Sequence, residues 1–264
     1  MKIILVLLFL ISAYTLRATL SIQGVYQGKE IYVQNPEDAD GFGFCATKVT
    51  VNGDVMTGGV NRSAFNIDFS QFNIAVGDPV FIVIEHNDGC KPKILNPEVL
   101  LPKSTFEIVE MSVKEDGTLK WKTKNEQGSL PYVIEQYRWN KWVSAGEVDG
   151  EGTSEENEYE YKIIPHSGEN KLRIVQQDHS GLKRKSEEIT FDSNLPEVEM
   201  APKKVKTEIR FTANGKPVET KYEIWDAYGN IIKRGFGSTV NCENLKKAVY
   251  YINFDNTDQK FIKG

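Results

Sequence analysis

Short apolar runs separated by turn-forming residues dominate the chain. Apolar and polar residues alternate in Leu119-Lys120-Trp121 and again across residues 133–139. A period of two residues is typical of β-strands that bury one face. Asn52-Gly53-Asp54 and Asp116-Gly117 supply turn signals of the kind that connect hairpin strands. The pattern predicts an all-β protein made of tandem small antiparallel β-sandwich modules.

Turn clusters and a proline-containing segment divide the chain into modules. The predicted divisions are a signal peptide over residues 1–18, an N-terminal β domain over residues 22–102, a β-sandwich over residues 104–193, a linker over residues 194–202 and a C-terminal β domain over residues 203–264. Pro196 and Pro202, together with mixed charge, make the linker typical of a hinge.

Each module has its own predicted strands. In the first module they are residues 30–34, 47–51, 64–69 and 79–86. In the second they are residues 106–113, 118–123, 132–139, 141–148, 158–164, 171–177 and 182–191. In the third they are residues 207–211, 221–225, 231–234, 249–253 and 260–262. Seven strands in about 90 residues indicate a sandwich of two sheets.

The N-terminus is typical of a secretory signal peptide. Lys2 provides a short positive region, and residues 3–11 form an apolar core that is too short to span a bilayer comfortably. Cleavage after Ala18 is the expected processing step. The sequence therefore predicts export from the cytoplasm.

Composition and charge narrow the classes of function. Hydrophobic residues make up 40% of the 264 residues and charged residues 26%, which is typical of a globular protein. The formal net charge is −5, whereas proteins that bind nucleic acid usually have a basic excess. Nucleic acid is therefore an unexpected partner, and no small-molecule substrate is indicated.

Three cysteines, Cys45, Cys90 and Cys242, bear on the redox state of the chain. In an oxidising compartment, Cys45 and Cys90 could form a disulfide within the first module and leave Cys242 free. The alternative is three reduced, buried thiols. Spacing in the sequence leaves both alternatives open, because it does not fix the Cα separation.

Several short segments contain residue types that are used in catalysis or metal binding. Asp178-His179-Ser180 has the residue types of a catalytic triad, but triad members meet in space and are not neighbours in sequence. Residues 85–90 and 36–41 lack the ligand spacing of zinc or calcium sites. Gly235-Phe236-Gly237 lacks the third glycine of a dinucleotide-binding loop. We therefore predict no enzyme, no cofactor and no metal site.

One acidic run is a candidate docking surface for a basic partner. It comprises Glu147, Asp149, Glu151, Glu155, Glu156, Glu158 and Glu160, with no basic residue between them. Runs of like charge are more often solvated loops than binding sites. Both interpretations remain open from the sequence.

The second module resembles a fibronectin type III domain. Trp121 lies on an early predicted strand, Tyr137 and Trp139 lie on the third, and residues 172–175 fall where that family has its sixth strand. The resemblance implies a fibronectin type III-like sandwich, and it implies little about function because this fold has many roles.

The last module is similar to the C-terminal sorting domains of the type IX secretion system of Bacteroidota. Residues 221–235 resemble that family's Y-x-I-x-D-x-x-G segment, residues 244–252 its N-L-x-x-G-x-Y hairpin, and residues 259–264 its K-x-[IV]-[KV] ending. The matching residues are Tyr222, Ile224, Asp226, Gly229, Leu245, Tyr250, Lys260, Ile262 and Lys263. Two departures are Ala248 in place of the hairpin glycine and the absence of the usual P-N-P opening, and both weigh against a working export signal.

The resemblance implies two alternative roles. In the first, the architecture resembles the plug component of this system, which closes the periplasmic mouth of the large outer-membrane β-barrel translocon when no substrate is loaded. The expected location is then the periplasm, in association with the outer membrane and its translocon proteins. In the second, the chain is cargo at the cell surface or in the medium, with β modules that bind glycan or protein.

Overall fold

The computed structural model describes residues 18–264, so the signal peptide predicted for residues 1–18 lies outside the described chain except for Ala18. Within this range the chain has 24 β-strands and two short 3₁₀ helices. It divides into two units, one ending at Leu101 and the other spanning Pro102–Gly264. No helix in residues 18–264 is long and apolar enough to cross a bilayer. The prediction of an all-β chain of antiparallel sandwich modules is confirmed.

The first unit contains seven strands in two sheets. Its strands are β1 (Ala18–Val25), β2 (Ile31–Gln34), β3 (Ala46–Val51), β4 (Asp54–Val55), β5 (Ala64–Ile67), β6 (Pro79–His86) and β7 (Lys93–Ile94). Its 3₁₀ helices are Phe69–Gln71 and Pro97–Leu100. One sheet has the order β1-β6-β3-β4 and the other has the order β5-β2-β7.

Strand β6 lies between β1 and β3, and alternation along it directs one face of the strand into the core. Val80, Ile82 and Ile84 are buried, whereas Phe81 is exposed on the opposite face. The buried side chains join residues of β2, β3 and β5 in one hydrophobic core between the two sheets. Strand β1 was absent from the predicted strands, and it forms the edge of this sheet by pairing with β6 along eight residues.

The second unit begins with a fibronectin type III-like sandwich. Its strands are β8 (Glu107–Val113), β9 (Thr118–Lys124), β10 (Pro131–Arg138), β11 (Lys141–Asp149), β12 (Asn157–Lys162), β13 (Gly168–Gln177), β14 (Lys183–Lys185) and β15 (Ile189–Ser193). One sheet has the order β12-β9-β8, and the other has the order β11-β10-β13-β14 with β15 also paired to β13. Buried aromatic rings fill the space between the sheets: Trp121 stacks 5.2 Å from Tyr159 of its own sheet and meets Tyr132 of the opposite sheet edge-on at 6.0 Å.

A second sandwich completes this unit. Its strands are β16 (Glu199–Ala201), β17 (Lys204–Val205), β18 (Glu208–Ala213), β19 (Lys216–Pro217), β20 (Thr220–Trp225), β21 (Ile231–Gly237), β22 (Thr239–Asn241), β23 (Ala248–Phe254) and β24 (Thr257–Lys263). The larger sheet has the order β17-β24-β23-β20-β21, in which only the β17–β24 pair is parallel. The smaller sheet contains β16, β18, β19 and β22.

The short strands β4, β7, β17, β19 and β22 were not predicted from the sequence, and three further details differ. Strand β10 ends at Arg138, because Trp139 and Asn140 form a tight turn with φ of 54° and 59°. The strand predicted over residues 182–191 is two strands, β14 and β15. The segment predicted as a linker contains β16, which pairs with β18 and therefore belongs to the C-terminal sandwich.

Candidate docking surface

Most residues of the sorting-like motif build the C-terminal sandwich. Ile224 is fully buried, and Leu245 and Tyr250 are 8% and 7% exposed. The Tyr250 ring stacks 5.5 Å from Phe261, and its hydroxyl donates to the carbonyl oxygen of Lys246 at 3.1 Å. Tyr222 packs at the margin of the same core. These motif positions are therefore explained by packing.

Asp226 and Gly229 of the motif shape the turn between β20 and β21. The Asp226 carboxylate accepts hydrogen bonds from the backbone N–H groups of Tyr228 and Asn230, both at 2.9 Å. Hydrogen bonds from Asn230 hold the pKa of Asp226 below its usual value. Gly229 has φ of +85°, a left-handed conformation that favours glycine. These two positions are explained by turn geometry.

The exposed side of the larger C-terminal sheet carries a cluster of apolar side chains. We call it the C-terminal face and define it by Trp225, Ile231, Val249, Tyr251, Lys260 and Ile262. Backbone pairing sets Tyr251 beside Lys260 on one side and beside Trp225 on the other, and Trp225 beside Ile231. Val249 pairs with Ile262 in the adjacent row. The side chains that alternate with them point into the core.

Exposure distinguishes the C-terminal face from an ordinary sheet surface. Ile231, Val249, Tyr251 and Ile262 are 40–48% exposed, although all four are large apolar residues. Contiguous apolar surface of this kind marks interaction sites in soluble proteins. Of the motif residues, only Lys260 and Ile262 belong to this face, and Lys263 at the end of β24 points to the other side of the strand.

The β10–β11 hairpin of the fibronectin-like sandwich contacts the edge of the C-terminal face. The Lys141 ammonium lies 2.6 Å from the Glu223 carboxylate and 4.7 Å from the centroid of the Trp225 ring. The Trp139 indole at the hairpin tip donates to the carbonyl oxygen of Asp255 at 3.1 Å. The two sandwiches of the second unit are thus joined by polar as well as aromatic contacts.

Asp255 is the centre of this joint. It occupies the β23–β24 turn with φ of 48° and is 5% exposed. Its carboxylate accepts hydrogen bonds from the backbone N–H of Ser167 at 3.0 Å and of Val198 at 3.4 Å, and a further short one from the Ser167 hydroxyl. Its own N–H donates to the hydroxyl of Thr220 at 3.0 Å. One residue therefore connects the fibronectin-like sandwich, the segment after it and β20.

Arg138 completes the joint from the other side. It is 1% exposed, and it donates to Gln136 Oε1 at 2.8 Å, to the Ile164 carbonyl at 2.6 Å and to the Asp255 carbonyl at 3.4 Å. Burial lowers the pKa of Arg138 to about 10, and Asp255 acts in the opposite direction. Removal of the C-terminal sandwich would take the Asp255 partner away from a buried cation.

Charge is distributed unevenly along the chain. Residues 200–264 contain twelve basic and seven acidic residues, although the whole chain has a net charge of −5. The C-terminal sandwich is therefore basic, and the rest of the chain is acidic. A module with this charge and a partly apolar face matches a partner surface that is acidic and partly apolar.

The predicted acidic run is divided between three structural elements. Glu147 and Asp149 lie on β11, and Glu151, Glu155 and Glu156 lie in the loop that follows. Glu158 and Glu160 lie on β12, where they form ion pairs of 2.7 Å with Lys122 and Lys120. These ion pairs lower the pKa of both glutamates. The seven acids are thus dispersed, and two of them face basic partners.

The remaining candidates have structural surroundings. Cys45 and Cys90 form a disulfide with Cα atoms 5.8 Å apart, and Cys242 is a buried free thiol. Asp178 accepts hydrogen bonds from the backbone and hydroxyl of Ser180 and so holds the turn between β13 and β14. In the described part of the chain, no three metal-ligating side chains are grouped closely enough to bind a metal ion.

Neither Arg138 nor Asp255 was predicted from the sequence, although the alternation along β10 indicates that Arg138 is buried. Alternation along β10 places Gln136 and Arg138 on the same buried face as Tyr132 and Ile134. A buried arginine at a strand end predicts a polar partner from another element. The partner itself lies 117 residues away in sequence and has no local signature.

Comparisons with known proteins add little to this description. No protein-family profile and no curated protein sequence matches the chain. Among solved structures, it is similar to the glycoside hydrolase domain of Endo-D from Streptococcus pneumoniae R6, with 14% identity over 66% of this chain and a TM-score of 0.21. It is also similar to the FN1–FN3 domains of chicken CNTN1, with 13% identity over 89% of each chain and a TM-score of 0.26. The chain spans 28% of the length of the hydrolase. Likeness at this level establishes neither a shared fold nor a shared activity.

Proposed function

We propose that the protein is an exported, non-catalytic binding protein that closes the periplasmic mouth of the outer-membrane type IX translocon when no cargo is loaded. The sorting-like motif in residues 221–264 supports an association with this system. The predicted signal peptide supports the periplasm as its location. A pore wide enough for folded cargo would leak, and a compact β body seated in its mouth would seal it.

The joint around Asp255 is the observation that carries this proposal. Cargo of the type IX system would lose roughly residues 200–264 on secretion. In this chain, those residues contribute Asp255 to a buried network with Ser167 and with Arg138, which is 1% exposed. Loss of these residues would remove the acceptor of the Ser167 and Val198 backbone N–H groups and uncover a surface that is buried in the complete chain. A tail that completes the fold of the preceding sandwich suits a protein that keeps it.

The C-terminal face is the surface through which we propose that docking occurs. Tyr251 and Ile262 are 45% and 48% exposed, and Lys260 lies beside Tyr251. Burial of such side chains in a partner would supply apolar stabilisation, and the basic charge of this module would steer it toward an acidic rim. The face is accessible while the motif residues beneath it stay in the core.

Recovery of the translocon from solubilised outer membranes tests this proposal. The full-length chain, tagged at its N-terminal side after the predicted cleavage site, is expected to recover the large barrel protein. Ile262→Asp is expected to reduce that recovery at least about tenfold, because it buries a charge in an apolar contact. Leu182→Asp is the matched control, since Leu182 is 64% exposed in the other sandwich of this unit. Failure of the wild-type chain to recover any barrel protein contradicts the proposal.

A further inference from the structure

An aromatic side chain projects from a loop of the first unit. Phe42 is 88% exposed and stands between Gly41 and Gly43, which have φ of +75° and +78°. We call residues 36–44 the Phe42 loop. Both glycines adopt left-handed conformations that other residues disfavour, so the backbone is shaped to present the ring outward. The ring has no role in the core of this unit.

Two features brace the Phe42 loop against the neighbouring loop at residues 87–90, and two backbone hydrogen bonds close the loop on itself. The Cys45–Cys90 disulfide closes its base. The Asn87 side-chain amide donates to the Asp38 carboxylate at 2.6 Å. Within the loop, the N–H of Asp38 donates to the Gly43 carbonyl at 3.2 Å, and the N–H of Cys45 donates to the Pro36 carbonyl at 2.9 Å. The loop is therefore preorganised.

The second loop also packs closely against the first. A Cβ atom on Gly89 would lie 3.2 Å from the Cβ of Ala39, and Gly89 has φ of +86°. Preorganisation lowers the entropy that a loop loses on binding, so more of the burial energy of an aromatic ring remains available for affinity. Rigid aromatic anchors of this type account for much of the binding energy at protein interfaces.

Acidic residues lie in the same loop as the exposed ring and in the loop that braces it. Glu37, Asp38 and Asp40 lie in the Phe42 loop, which contains no basic residue, and Asp88 lies in the bracing loop. Such charges are repelled by an anionic lipid surface and attracted by lysine and arginine side chains. The same charges would rest at the rim of a contact, where they affect association rate and specificity.

We propose that the Phe42 loop is a docking element that inserts the Phe42 ring into an apolar pocket of a protein partner, and that lysine or arginine side chains rim this pocket. The proposal rests on the binding role proposed above. It does not depend on which outer-membrane protein is bound, and it assigns to the first unit an anchor of its own. Loss of the ring is expected to weaken binding roughly 10- to 100-fold.

Photo-crosslinking from position 42 tests the proposal in the full-length chain. The chain carries benzoylphenylalanine in place of Phe42 and is mixed with detergent-solubilised outer membranes, and the crosslinked residue is mapped by mass spectrometry. The expected adduct is on one protein, among apolar residues with lysine or arginine nearby. Unlabelled wild-type chain and Leu182→Ala should compete for this adduct equally well. Phe42→Ala and Asp40→Lys should compete at least tenfold less well.

Three outcomes overturn the proposal. One is Phe42→Ala competing as well as the wild-type chain. The second is adducts confined to lipid, accompanied by binding of the chain to vesicles of phosphatidylethanolamine and phosphatidylglycerol. The third is no saturable adduct. If Phe42→Ala competes fully while the translocon is still recovered, only this inference fails. If the expected adduct maps to another protein and no translocon is recovered, only the plug role fails. An unchanged Tm of Phe42→Ala confirms that its fold is intact.

Discussion

Replacement of Asp255 by asparagine should uncouple the two sandwiches of the second unit. Asparagine tolerates the φ of 48° at this position, so the backbone is undisturbed. The carboxylate accepts hydrogen bonds from the Ser167 backbone, the Ser167 hydroxyl and the Val198 backbone. An amide keeps one acceptor oxygen and presents an N–H₂ group to the remaining donors. Water replaces the lost acceptor only in part, because Asp255 is 5% exposed.

The expected loss follows from the hydrogen bonds involved. A hydrogen bond to a charged group contributes about 1.5–3 kcal/mol, and an unsatisfied buried donor costs about 1–3 kcal/mol. The 3.4 Å bond from Val198 is long and adds little. We therefore expect Asp255→Asn to lower the free energy that separates the closed joint from its locally opened state by about 2–4 kcal/mol. This change raises the exchange rates of amides protected by the joint roughly 30- to 700-fold.

Hydrogen–deuterium exchange with peptide-level mass spectrometry measures this effect in the full-length chain. Peptides from residues 166–177 and 248–263 should both lose protection, because they lie on opposite sides of the joint. Asp258→Asn is the matched control, since Asp258 is an exposed residue of the same hairpin, and it should change exchange rates by less than about twofold. Lost protection confined to residues 248–263 would refute the idea that the two sandwiches depend on each other.

Three further predictions concern single features of the fold. Glu126→Ala should lower the Tm of the second unit by roughly 5–15 °C, whereas Glu155→Ala should leave it nearly unchanged. The reason is that Glu126 is 2% exposed and accepts hydrogen bonds from Thr123, Tyr159 and Gly152, whereas Glu155 is exposed. The double variant Cys45→Ser/Cys90→Ser should lower the free energy of unfolding of the first unit, measured in urea, by up to about 4 kcal/mol, because the disulfide closes a loop with a sequence separation of 45. A loss of free energy near zero contradicts this prediction. Burial lowers the pKa of His166 below 6.5, so on acidification the unfolded chain binds a proton before the folded chain does. The free energy of unfolding should therefore fall as the pH drops below about 6.5, by at most about 1.4 kcal/mol per pH unit. His166→Asn should flatten this pH dependence, as measured by urea titrations at several pH values.

Local pattern was sufficient for much of the fold. The alternation of residues 133–139 predicted β10, although the strand ends at Arg138, and the apolar run of residues 79–86 predicted β6, because both strands bury one side against a sheet. Strand β1 was missed although Leu20 and Ile22 alternate with polar neighbours, because the segment directly follows the predicted signal peptide and the first domain was predicted to begin at residue 22. Strand β16 was missed because it is three residues long and lies between two prolines.

The candidate site was less predictable than the fold. The sorting-like motif identified residues such as Ile224 and Leu245, which proved to be core residues, because the signal in a motif is dominated by positions that packing constrains. Tyr251 and Val249 belong to the exposed face and carry no motif signal. The Asp255 joint depends on contacts that Asp255 makes with residues 35 to 117 positions away, and no local pattern specifies such contacts.

The mass of the mature chain in cell fractions tests most directly whether this protein is exported and retains its C-terminal sandwich. A species that starts close to residue 19, ends at Gly264 and fractionates with the periplasm and outer membrane is the result that the proposed function predicts. A chain that lacks roughly residues 200–264 and is found at the cell surface or in the medium would contradict it.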